Sequence, residues 1–332
     1  MREGWTAIVQ LALLHWGMKT KEAPKDLTLI QIFDKFGTEA KARKHLEAVL
    51  WKDGMVCPHC QCPDPAKFSS IAANPEKKVR AGLRWCAACQ KQFTVTIGTI
   101  FEDSHIPLRK WLIAWYLLCS SKKGISSLQL QRILELGSYR SALFMTHRIR
   151  HALKETGYAD LLEGTIEADE TIMGGYAKGQ GSGYRAANKT PVIALVQRGG
   201  KVRSQVMPTV NGANLRQAIR QNVKTGAKLH TDAHKGYTAL GGEYDHSIVR
   251  HVAGQYSRHE GEKVVSTASV ESFFSLLKRG VMGTFHHISR QHLPLYLAEF
   301  EHRHNCRKLT DGQRTDLGLA KVTAKRLIYK AQ

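Results

Sequence analysis

The sequence predicts a multidomain α+β protein: an N-terminal helical region, a cysteine-rich insert, a short helical bundle, and then an α/β domain built on a mixed sheet. Three observations carry this. Two Cys-x-x-C pairs, Cys57/Cys60 and Cys86/Cys89, enclose a stretch without long apolar runs. Three helical patterns follow, punctuated by Gly124 and Gly137. From Gly164 onward the apolar period shifts from that of a helix to that of a strand. The expected divisions are 1–54 (helical segment), 55–100 (cysteine-rich unit), 104–155 (helical domain), 163–308 (α/β domain) and 309–332 (basic C-terminal tail).

In chain order, residues 27–36 and 39–51 space Leu29, Ile32, Phe33 and Phe36, then Leu46, Val49 and Leu50, as the buried stripe of a helix does. The next helical patterns are 107–120, with Pro107 suited to a first turn, then 126–136 and 139–154. A tight turn before a last helix bearing Arg140, His147, Arg148 and Arg150 is the pattern of a DNA-contacting helix-turn-helix. A purely structural helical linker would give the same pattern.

Strands are expected at 165–173, 191–197 and 202–207, the last two joined by Arg198-Gly199-Gly200-Lys201 as a hairpin. Asn211 should cap a helix running to Val223. A fourth strand at 227–231, a short fifth at 247–251 and a helix at 269–279 complete the order β-β-β-α-β-α-β-α, which is that of an RNase H-like domain with helices on both faces.

Charge narrows the partners. With 332 residues, 49 Lys and Arg against 28 Asp and Glu, and a net charge of +21, the chain favours a polyanion such as nucleic acid. No apolar run approaches the ~20 residues of a spanning helix. The N-terminal stretch lacks a signal-peptide cleavage site, so a cytoplasmic, reduced protein is expected, whose seven Cys serve as ligands or packing. Two Cys-x-x-C knuckles supply four thiolates for a structural, tetrahedral Zn²⁺: Cys57, Cys60, Cys86 and Cys89. His59 and Cys62 lie close enough to compete, while Cys119 and Cys306 are read as packing residues.

Three acids then stand out: Asp169 on the first strand, Asp232 at the end of the fourth, and Glu271 on the late helix. Two-metal phosphodiester chemistry needs clustered acids that hold two divalent ions ~4 Å apart. Singly, each acid could be a cap or a solvated side chain. Glu167 and Glu170 flank Asp169 and are assigned to the opposite sheet face. Lys278 lies seven residues after Glu271, roughly 700° around the helix, so both share a face. It is either a cation at a helix C-terminus or a DNA phosphate clamp. The loop 174–203 (Lys178, Arg185, Lys189, Arg198, Lys201, Arg203) and the residues after His302 add cations for further DNA backbone contact, or form a solvated hairpin and tail.

The stretches WKDGMVCPHC, RWCAACQKQFTVTIGTIFEDSHIPLRKW, EADETIMGG, TDAHKGY and ESFFSLLKRGVMGTF, in that order, resemble the DDE transposases of bacterial insertion sequences that carry an N-terminal zinc ribbon, the ISXO2-like group. The resemblance runs from about Leu27 to Arg307. It implies that Asp169, Asp232 and Glu271 are catalytic acids binding Mg²⁺ or Mn²⁺, and that Lys278 contacts DNA near the cleaved end. It also implies binding of double-stranded DNA at element inverted repeats and in the target, strand joining through 3′-OH ends, and a homo-oligomer on DNA in the nucleoid. His286, Tyr296 and Arg303-His304-Asn305 match family patterns without an implied role. Thr267-Ala268 stands where Thr-Asn is common, Phe274 where Trp is common, and Cys306 interrupts a usual Asn-Arg-Arg. The alternative is a zinc-ribbon DNA-binding protein without catalysis, or a decayed transposase acting as a repressor.

Overall fold

The computed structural model describes residues 26–155, 158, 160–174, 189–250, 257–261, 263–325 and 327. The helical segment comprises α1 (Leu29–Phe36) and α2 (Glu39–Leu50). Thr28 and Thr38 accept the Gln31 and Lys41 N–H groups as N-caps. A three-stranded antiparallel sheet follows: β1 (Phe68–Ser70), β2 (Arg84–Cys86) and β3 (Lys91–Phe93). Its small apolar centre is Phe93, packed edge-on by Trp51 and Phe68 beside buried Cys57 and Cys86.

Helices α3 (Leu108–Ser120), α4 (Ser127–Ile133) and α5 (Tyr139–Leu153) form the next layer. They share one core with α1 and α2, centred on Trp111, Trp115, Leu112, Leu118 and Ile149. Within the expected tail, residues 309–325 are ordered structure. They contain a helix (Asp311–Leu319, α9 below), and Leu319 and Val322 are buried in this same core. Gly318 allows the approach: a Cβ there would sit 2.7 Å from Trp115 Nε1. Residues 1–25, and the cations Arg326 and Lys330 of the expected tail, lie outside the described residues.

The α/β domain contains β4 (Thr165–Met173), β5 (Thr190–Gln197), β6 (Val202–Val206), α6 (Gly212–Asn222), β7 (Lys228–Thr231) and β8 (Asp245–Ile248). The strand order is β6-β5-β4-β7-β8, antiparallel among the first three and parallel from β4 to β8, an RNase H-like arrangement. Asn211 caps α6 as expected. The fifth strand sits earlier than expected, at 245–248, because its parallel register with β7 pairs Asp245 with Lys228 and Ile248 with Thr231. His251 falls outside the described residues. An unexpected hairpin, β9 (Ser257–Glu260) with β10 (Lys263–Ser266), leads into α7 (Ala268–Gly280), followed by α8 (Leu293–Asn305) and α9 (Asp311–Leu319).

Two apolar layers flank the sheet. Ile166, Ala168, Ile193 and Leu195 pack with Leu215, Ile219 and Tyr237 on the α6 side. Val192, Ala194 and Val196 pack with Val270, Phe273, Phe274, Leu277 and Phe300 on the side of α7 and α8. Gly280 lets α7 press on the helical layer, since a Cβ would stand 2.5 Å from Phe300 Cζ and 2.7 Å from the Lys123 carbonyl oxygen.

A buried charge cluster joins the helical layer to this domain, and it overturns part of the expected DNA-contact surface. Arg150 and His147 of α5 are buried rather than presented to solvent, while Arg140 is exposed. The Arg150 guanidinium lies 3.9 Å over the Tyr296 ring and pairs with Glu299, which Arg303 also reaches. Burial pushes His147 down to about 3, with the Arg150 charge adding to it.

Candidate active site and metal centre

The four cysteines converge as their spacing implied. Their sulfur atoms all lie within 4.8 Å of one another, with Cys57–Cys89 and Cys60–Cys86 each at 3.7 Å. Four soft donors at that separation fit a tetrahedral Zn²⁺, whose sulfur ligands sit ~2.3 Å from the ion. His59 is directed to the Gln92 carbonyl at 3.2 Å, and Cys62 packs beside the cluster without joining it. Cys119 is buried in the helical core.

The acids are brought together by the sheet. β4 and β7 run parallel, with Ala168 opposite Thr231, so one further residue sets Asp169 of β4 beside Asp232, the residue just past the end of β7. Neighbouring strands are ~4.8 Å apart, close enough for the two charges to repel strongly when partly buried. Burial first, then Glu170, Asp232 and Glu271, push the Asp169 carboxyl up to about 7. Asp169 Oδ1 accepts the N–H of its strand neighbour Glu170 at 2.8 Å, and Asp232 Oδ1 accepts the His234 N–H at 3.0 Å in the turn after β7. Glu271 is exposed near the start of α7 and accepts the Thr267 hydroxyl at 2.8 Å; Lys278 is exposed two turns later. The three carboxylates do not all come within 4.8 Å of one another; among the described residues the cysteine set does. Carboxylate oxygens that together raise the proton affinity of Asp169 are the donor chemistry of a hard divalent cation.

The flanking acids need one correction. Side chains two apart on a strand share a face, so Glu167 lies on the α7 side with Asp169, and only Glu170 is opposite. Glu167 accepts from the Ser269 and Val270 N–H groups of α7, whereas Glu170 accepts from the Tyr237 hydroxyl on the α6 side. The parity of 167 and 169 was the available signal.

Several cations expected to reach DNA are also committed elsewhere. Arg198 pairs with Glu167, and Arg203 is buried under Tyr158 beside Asp160. Lys201 pairs with Asp160, Arg314 with Asp311, and Lys321 with Glu155, while Lys325 donates to the Ala152 and Lys154 carbonyls. Lys178 and Arg185 lie outside the described residues. Asn305, from the motif without an implied role, bonds both the N–H and the carbonyl of Val202, tying α8 to the sheet edge.

Comparison with known proteins adds to this geometry. Residues 161–305 match the model of the ISXO2-like transposase domain, and residues 37–92 match that of the transposase zinc-ribbon domain. An uncharacterized transposase-like protein of Haemophilus influenzae is 32% identical over 106 residues, covering 32% of this chain and 81% of the relative. The chain belongs to the ISXO2-like transposase family. A second relative of this ISXO2-like protein is an uncharacterized protein in transposable element ISH50 of Halobacterium salinarum. It is 27% identical over 287 residues, 81% of this chain and 91% of the relative. Among the described residues of the ISXO2-like chain, no helix is long and apolar enough to cross a membrane.

Proposed function

We propose that this ISXO2-like protein is an active DDE transposase. It binds the inverted repeats of its element, cleaves double-stranded DNA at the element ends with water as nucleophile, and joins the freed 3′-OH ends to target DNA. The observation that carries this reading is the juxtaposition of Asp169 on β4 and Asp232 just past the end of the adjacent parallel strand β7, with Glu271 near enough to add to the proton affinity of Asp169. Asp169, Asp232 and Glu271 hold Mg²⁺ or Mn²⁺. Divalent ions held there would supply the charge that activates an attacking oxygen and stabilises a leaving one in an in-line displacement. A backbone N–H, of Glu170 for Asp169 and of His234 for Asp232, holds one oxygen of each aspartate.

Exposed Lys278 contacts a DNA phosphate beside the acids, and the net charge of +21 holds the duplex. The zinc unit and the exposed end of α5, including Arg140, recognise the repeats. Joining two ends requires two copies, so the working form is a homo-oligomer on DNA. A binder without chemistry would have no use for Asp169, Asp232 and Glu271 together with Lys278. The test is nicking and strand transfer on DNA flanking the gene, with Mg²⁺ supplied. Loss of both in Asp169→Ala and Asp232→Ala supports the reading; full activity in both variants overturns it.

A further inference from the structure

The geometry points to Glu167 as the positioning residue that fixes the helix bearing Glu271 against the strand bearing Asp169. This rests on the proposed metal site, and extends it to a residue that does not itself hold the ion.

Helix α7 begins without the usual capping arrangement. Its N-cap residue, Thr267, makes no side-chain bond to the helix backbone and instead donates its hydroxyl to Glu271 Oε1 at 2.8 Å. The free N–H groups of the first turn are satisfied from elsewhere. Ser266 Oγ accepts Ala268 N–H at 3.0 Å, and Glu167 Oε2 accepts Ser269 N–H at 2.7 Å and Val270 N–H at 3.2 Å. Glu167 Oε1 also accepts the Ser269 hydroxyl at 3.2 Å. A carboxylate from the central strand β4 therefore caps the helix remotely, where the helix dipole favours a negative charge.

Two consequences follow from this exchange. Because Glu167 takes the N–H groups that Thr267 would otherwise cap, the Thr267 hydroxyl is left to orient the Glu271 carboxylate. And because Glu167 and Asp169 share a face of β4, the cap sets the position of α7 with respect to Asp169 itself.

Arg198 completes the device. Its Nε donates to Glu167 Oε1 at 2.7 Å, while Nη1 and Nη2 donate to the Val264 and Ser266 carbonyls at 2.5 and 3.1 Å. The strand β10 that feeds α7 is thus tied to the same carboxylate. Glu167 is 1% exposed, and its oxygens are engaged by these donors, so it is a support for the acids and not another ligand.

The test uses the full zinc-loaded chain without DNA and measures Mn²⁺ binding by electron paramagnetic resonance. Glu167→Ala should weaken Mn²⁺ binding about 10- to 100-fold, as loss of an outer-shell partner of metal ligands does. Glu167→Gln keeps an acceptor oxygen for the α7 N–H groups and should recover part of that loss. Amide exchange at Ser269 and Val270 should quicken in the same order. Leu215→Ala, on the other face of the sheet, should lower the melting temperature and leave Mn²⁺ affinity unchanged. Unchanged Mn²⁺ affinity in folded Glu167→Ala overturns the assignment, whatever DNA activity is found. A wild-type protein that binds Mn²⁺, loses that binding in Glu167→Ala, and leaves DNA intact supports the assignment while defeating the proposed reaction.

Discussion

Arg150 and Glu299 meet between the helical layer and the α/β domain with Nε and Oε2 2.5 Å apart, and both side chains are fully buried. Arg303 binds the other Glu299 oxygen and also donates to the Leu118 carbonyl. One carboxylate therefore balances two buried guanidinium groups drawn from helices α5 and α8. Burial would raise Glu299, but Arg150 and Arg303 hold it below the usual carboxylate range.

Removing the shared carboxylate should be costly. Glu299→Ala leaves two buried cations without their anion and should destabilise the protein by about 3–5 kcal/mol, read from urea unfolding. Arg150→Met, which removes one charge and keeps an apolar filler, should cost less. Equal losses in the two variants would contradict the idea that uncompensated charge sets the penalty.

The zinc unit should depend on its metal. Its apolar centre is little more than Phe93, Phe68, Trp51 and the cysteines, too small to fold alone. Chelation, or Cys86→Ser, should release about one zinc per chain and unfold residues 57–93. The separate core around Trp111 and Trp115 should survive. Zinc content and exchange protection of the two regions provide the measurement.

Asp169 sets a pH dependence whose sign is fixed. Its folded value of about 7 lies above that of an unfolded Asp, so the stability it contributes is full in acid and lost as pH rises through about 7. With no divalent cation added, wild-type protein should fall behind Asp169→Asn in melting temperature between pH 5 and 8. Because binding displaces that proton, Mn²⁺ affinity should rise over the same interval in wild type. A flat difference between the two proteins across this range would remove the argument.

Lys278 tests the DNA face of α7. Lys278→Ala should weaken duplex binding similarly for all sequences and reduce the slope of log affinity against log salt by about 1. An unchanged slope would leave Lys278 as a helix-end cation only.

Much of this arrangement was legible from local pattern. Strand β4 begins and ends where alternation placed it, Asn211 caps its helix, and the four cysteines meet. Asp169, Asp232 and Glu271 occupy the strand, strand end and helix assigned to them. The hairpin β9–β10 escaped because Ser257–Glu260 is polar and shows no apolar alternation. The fate of the cations escaped for another reason: Arg150 and Glu299 are 149 residues apart, and only tertiary packing reveals that one neutralises the other. The period of a strand puts Glu167 on the face of Asp169, and not on the opposite face expected from the sequence.

The most direct test of the central claim is strand transfer on DNA carrying the sequences that flank the gene, with Mg²⁺ present and absent. The account requires Mg²⁺-dependent joining of 3′-OH ends by the wild-type chain, falling by several orders of magnitude in Asp169→Ala and in Asp232→Ala while DNA binding persists. Joining that survives in either variant, or DNA binding by the wild type with no metal-dependent cleavage, would contradict it.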